Sequence, residues 1–155
     1  MRHMAGLGMR PVLDPLHHIS FPDWLVDGFA NARFPERYTS FVVEVAKRYP
    51  WVDAYTIFNE PLPTTLFCSH TGWWYPYRAS DEDFVRMAVN VGRAICRSSH
   101  ALTRLNPDVR FVHIDTCEQH RAVDSRVEEW VEFANARLRI ALKRYPLFSV
   151  SATGN

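Results

Sequence analysis

The sequence predicts an α/β fold, a partial (β/α)8 TIM barrel of about three consecutive βα units. Two observations carry this. Short β-type runs alternate three times with helical runs, an order that demands parallel strands joined by helical crossovers. A polar cluster also follows each run: His17 and His18, then Asn59 and Glu60, then Glu118 and His120. In barrel enzymes that C-terminal rim holds the chemistry. A doubly wound sheet shares the alternation, but the chain lacks the G-x-G-x-x-G turn that a dinucleotide fold places between strand and helix.

Residues 10–16, RPVLDPL, read as the first strand, and residues 17–34 as a long loop containing Pro22 and Gly28. Pro35 sits where a first-turn proline is tolerated. Tyr38, Phe41, Val42, Val45 and Tyr49 then fall at helical spacing, with Lys47 and Arg48 in the last turn, where cations suit the helix dipole. Pro50 ends that helix. Residues 52–58, VDAYTIF, are β-branched and aromatic and read as the second strand. Asn59-Glu60-Pro61 follows at once, and a long loop runs to about Arg78. Ser80 and Asp83 form a capping-box-like start. Phe84, Ala88, Val91, Ile95, Leu102 and Leu105 mark one face of a long helix that Asn106-Pro107-Asp108 stops. Residues 109–114, VRFVHI, read as the third strand. Residues 125–144 carry a third helix, with Val127, Trp130, Val131, Ala134 and Leu138 on one stripe.

The length fits a single domain over residues 1–155. Lys plus Arg number 18 and Asp plus Glu 17, a balance that offers no footprint for nucleic acid and no polybasic segment for a membrane surface. The N-terminus has no apolar signal region, and no stretch reaches the length of a membrane span. Cys68, Cys96 and Cys117 are far apart and form no Cys-x-x-Cys pattern, which suits reduced thiols in a cytoplasmic protein. No cofactor motif is present.

Glu60 is the leading candidate for chemistry. Pro61 cannot extend a strand ladder and restricts its neighbour, so Glu60 is fixed at one place on the rim. A carboxyl half-enclosed by apolar walls keeps its proton near neutral pH and can give it to a leaving-group oxygen. A rim glutamate paired with Arg or Lys is the competing reading. The histidines follow. Two histidines and a carboxylate could hold a metal, but no spacing such as His-Glu-x-x-His supports that. Hydrogen bonding to substrate hydroxyls suits His17 and His18, and a satisfied core position suits His113. Glu118 follows the third strand and is the one other glutamate worth testing as a nucleophile or substrate ligand. The cluster GWWYPY, residues 72–77, offers either a sugar-stacking lip, with Trp73 as the contact, or a hydrophobic plug.

The segment Tyr55–Pro61, YTIFNEP, resembles the acid/base signature of family-one glycoside hydrolases, the β-glucosidase family. That pattern reads Trp-x-Thr-Phe-Asn-Glu-Pro. Tyr55 replaces the Trp, and Phe58-Asn59-Glu60-Pro61 matches directly. Upstream, PLHHISFPDWL resembles the third-strand motif Thr-Leu-x-His-Trp-Asp-Leu-Pro-x-Trp-Leu. His18 falls on the sugar-binding His, and Pro22, Trp24 and Leu25 fall on Pro and Trp-Leu. Ser20 stands where Asp is usual, and Ile19 where an aromatic is usual. The resemblance spans roughly residues 6–135, and residues 135–155 diverge from it.

The resemblance implies retaining hydrolysis of β-glycosides in carbohydrate metabolism. It makes Glu60 the general acid/base, Asn59 a ligand of the hydroxyl beside the anomeric carbon, and His18 a ligand of the non-reducing sugar. It also implies a gap. A full barrel takes about 250 residues, and retention needs a second carboxylate about 5–5.5 Å from the first. The family supplies that glutamate from its seventh strand, and only the third to fifth strands have counterparts here. The isolated chain is therefore expected to turn over glycosides poorly or not at all, and to associate with itself through its open barrel edges. The alternative is a non-catalytic fragment that binds sugar or a partner.

Overall fold

The computed structural model describes residues 2–116 and 119–144, so Cys117 and Glu118 lie outside the described residues. The elements run α1 (Arg2–Gly6), β1 (Val12–Leu13), α2 (Phe34–Arg48), β2 (Ala54–Tyr55), α3 (Pro61–Ser69), α4 (Asp81–Leu105), β3 (Arg110–Phe111) and α5 (Glu128–Arg144). Single 3-10 turns sit at Gly28–Ala30 and Ser125–Val127. The chain groups into two compact units, one through Asp115 and one from Thr116.

The three strands form one parallel sheet in the order β1-β2-β3. Val12 pairs with Ala54 and Ala54 with Arg110, while Leu13 pairs with Tyr55 and Tyr55 with Phe111. The ladders are shorter than the strand runs in the sequence. Pro11 and Pro15 flank β1 and have no N–H to give a ladder. Farther along, Asn59 and Ile114 form an isolated parallel bridge, which carries the pairing up to the rim.

α2 begins as Pro35 dictates, with that proline in the first turn, and buries Tyr38 and Val42. Phe41, expected on that buried stripe, is half exposed. α4 opens on the Ser80 cap, whose hydroxyl accepts from the Asp83 N–H at 3.1 Å. It buries Met87, Val91, Ala94 and Leu102, while Leu105 at its end is exposed. α3 lies where the sequence suggested only loop. Pro61, Pro63 and two threonines are poor helix formers, but a proline in the first turn lacks only an N–H that has no partner anyway. Trp130 and Val127, read as part of the last helix's apolar stripe, are exposed. His113, read as a core histidine, is instead exposed along the chain, with Nε2 3.8 Å from Asp115 Oδ2.

The core joins Val52, Tyr55, Ile57 and Phe58 to Phe34, Tyr38 and Val42 of α2 and to Met87, Val91 and Leu102 of α4. Phe29, from the loop after β1, closes it with edge-to-face contacts to Phe21, Phe34 and Phe58. Each such side chain contributes about 1.5–3 kcal/mol by leaving water. Elsewhere on the sheet Val12, Phe111, Val112 and Ile114 remain 40–51% exposed, and several of them line an open groove with Arg10 and Arg110.

Candidate active site

The rim is built by two strand ends held in unusual backbone. His18 and Glu60 both adopt left-handed conformations, with φ of 47° and 45°. For non-glycine residues that costs on the order of 1–3 kcal/mol each, and such strain collects at functional sites. Glu60 is held there from both sides. Its N–H donates to the Ile114 carbonyl at 3.1 Å, and its carbonyl accepts from the Thr64 N–H at 3.0 Å. Pro61 then starts α3 immediately.

These positions bring His18 and Glu60 together. Nε2 of His18 lies 3.7 Å from Oε2 of Glu60, and both side chains are about a quarter exposed. On its other edge, His18 Nδ1 lies 3.1 Å from Thr64 Oγ1. Thr64 Oγ1 also donates to the Asn59 carbonyl at 3.4 Å. Burial lowers the pKa of His18 below the ordinary 6.5, and neighbouring His17 adds to this, while Glu60 and Asp14 oppose it. The ring is accordingly neutral at physiological pH. Asn59 is buried between strand and helix.

His17 packs edge-on to His18, with ring centroids 4.2 Å apart. Its Nδ1 lies 2.8 Å from Asp14 Oδ2. Because an ionised carboxylate only accepts, Nδ1 of His17 carries the proton of that bond. Of the paired tryptophans, Trp74 is the one beside His18, with centroids 4.9 Å apart. Trp73 is 67% exposed and stacks on Phe67. The aromatic loop is tied to the loop after β1. The Asp27 N–H donates to the Tyr75 hydroxyl at 3.2 Å, and Arg78 pairs with Asp27 at 2.8 Å.

Of the residues singled out in the sequence, the structure brings together Glu60, His18, Asn59 and His17. Glu118 lies outside the described residues, and His120 belongs to the second unit, bonded to the Asn135 amide. Thr64, Trp74 and Asp14 were not singled out. Asp14 has a local signal, lying three residues before His17, whereas Thr64 becomes visible only once α3 is known to be a helix. Among the described residues no group of three or more His, Cys, Asp or Glu is placed to hold a metal ion. None of the described helices is long and apolar enough to cross a membrane.

No protein-family model matches the chain, and no curated sequence matches it. Solved structures do. A β-glycosidase from Pyrococcus horikoshii superposes with a TM-score of 0.70 at 20% identity, over 91% of this chain and 33% of that one. A β-glucosidase from Thermotoga maritima in complex with deoxynojirimycin gives 0.70 at 17% identity, over 85% and 31%. The AHE enzyme from Alicyclobacillus herbarius gives 0.71 at 18% identity, over 87% and 32%. The chain spans about a third of the length of these structures. Its fold is that of a slice of a TIM barrel, with strand ends and their loops forming one arc of the rim.

Proposed function

We propose that the chain is a glycoside hydrolase-like module that binds a β-glycoside at the rim, with Glu60 as general acid/base. The observation that carries this reading is the pairing of Glu60 with a neutral His18 at 3.7 Å on two strained strand ends. That distance is too long for a hydrogen bond, and a hydroxyl placed beside the pair could reach both groups. Asn59 and His17 supply further polar contacts, and Trp74 or Trp73 an apolar face for the sugar ring. A role for Glu118 as a further ligand rests on the order of strands in the sequence. A retaining reaction needs a second carboxylate flanking the same bond; with Glu60 alone assigned, the chain by itself turns over little or nothing. A cytoplasmic setting is part of the proposal, supported by Cys68 and Cys96 being free thiols.

A second reading has its own support. Val12, Phe111, Val112 and Ile114 stay exposed, which suits a fragment that binds a partner or a second copy through its open sheet. Two measurements separate the readings. Titration with methyl β-glucopyranoside, followed by NMR, should shift resonances of His18, Asn59 and Glu60 together. Light scattering should give a mass above that of a monomer. Absence of any sugar-induced shift at these residues would discard the glycoside reading and leave the partner-binding one.

A further inference from the structure

Thr64 is fully buried, with a single hydroxyl between two groups of different character. The Asn59 carbonyl on one side can only accept. The His18 ring nitrogen on the other can donate or accept according to its tautomer. If the hydroxyl proton goes to the carbonyl, the oxygen offers its lone pairs to His18 Nδ1, which must then carry the ring's proton. Nε2 is left bare, and it is the atom that faces Glu60.

We propose that Thr64 is a positioning residue that locks His18 as the Nδ1–H tautomer, so that Nε2 accepts a hydrogen bond from a ligand hydroxyl placed beside His18 and Glu60. Nε2 then needs a donor, which a hydroxyl supplies and an ether oxygen does not. The seat therefore takes a ligand with a free hydroxyl, as in a polyol or sugar. The identity of that ligand rests on the proposed function, whereas the tautomer does not.

The experiment is a long-range proton–nitrogen correlation spectrum of the ¹⁵N-labelled full chain above the ordinary histidine pKa, with His18→Gln to assign the peaks. His18 should show a protonated Nδ1 and a pyridine-like Nε2. Thr64→Ser should keep that pattern. Thr64→Val, which has the same shape without the hydroxyl, should give mixed tautomers and weaken methyl β-glucopyranoside binding about tenfold, the worth of one hydrogen bond. A protonated Nε2 in the unaltered chain overturns the proposal, as does an unchanged tautomer in Thr64→Val. A locked tautomer in a chain that ignores the glucoside sustains the role of Thr64 and overturns the glycoside reading instead.

Discussion

Tyr38→Phe tests how the core holds the rim in place. The Tyr38 hydroxyl donates to the Ile57 carbonyl, three residues before Glu60. Both residues are buried, at 3% and 5% exposure. Burial pushes the phenol's pKa far above its usual value, so the hydroxyl remains a donor at every working pH. Phenylalanine keeps the ring, its stacking on Phe34 at 5.4 Å and its edge contact with Phe58. Only the donor is lost, and the carbonyl it served stays inside. An unmet buried acceptor costs about 1–3 kcal/mol. At a middle value of about 2 kcal/mol, the melting midpoint should fall by roughly 4–8 °C for a chain of this size. Calorimetry measures the fall, and amide exchange measures its reach. The Glu60 N–H, bonded to Ile114, should exchange faster in the variant. An unchanged midpoint would show that the hydroxyl does not moor the end of β2.

Asn90→Ala should destabilise by about 2 kcal/mol in chemical denaturation, because its buried amide donates to the Phe29 carbonyl at 2.9 Å and the Asn31 carbonyl at 3.3 Å. Gly28→Ala should cost about 1–3 kcal/mol, since φ is +48° and a Cβ there would lie 2.5 Å from the Phe21 ring. Asp53 sits between Arg10 and Arg110, and these, Arg10 foremost, hold its carboxyl below the usual 3.8. Its contribution is therefore complete above that value and is lost as pH falls through the lower folded one. Asp53→Asn should lower stability slightly at neutral pH, where the contribution is complete, and change it little at the acid end, so the acid limb flattens, as thermal melts from neutral to acid pH would show.

The sheet and its crossovers were legible because they rest on local patterns. Tyr38 and Val42 recur at helical spacing, Ser80 caps α4 by its own side chain, and the VDAYTIF run becomes the buried centre of the sheet. The strand-end positions of His18 and Glu60 were legible for the same reason. What the sequence hid is decided by neighbours distant in the chain. α3 forms despite its prolines because they occupy the first turn. Of two adjacent tryptophans Trp74 is the one beside His18, a contact with a residue 56 positions away that no local pattern marks. Thr64 meets His18 across 46 residues of sequence, and no local periodicity marks such a contact.

The central proposal is that Glu60 is the general acid of the rim. Hydrolysis of a β-linked disaccharide by the purified chain tests it most directly, because a poor leaving group depends on its general acid, typically by about 10²–10⁴-fold in rate. The account predicts no turnover above the uncatalysed rate by the chain alone, with binding retained in Glu60→Gln. Robust turnover that survives Glu60→Gln would contradict it.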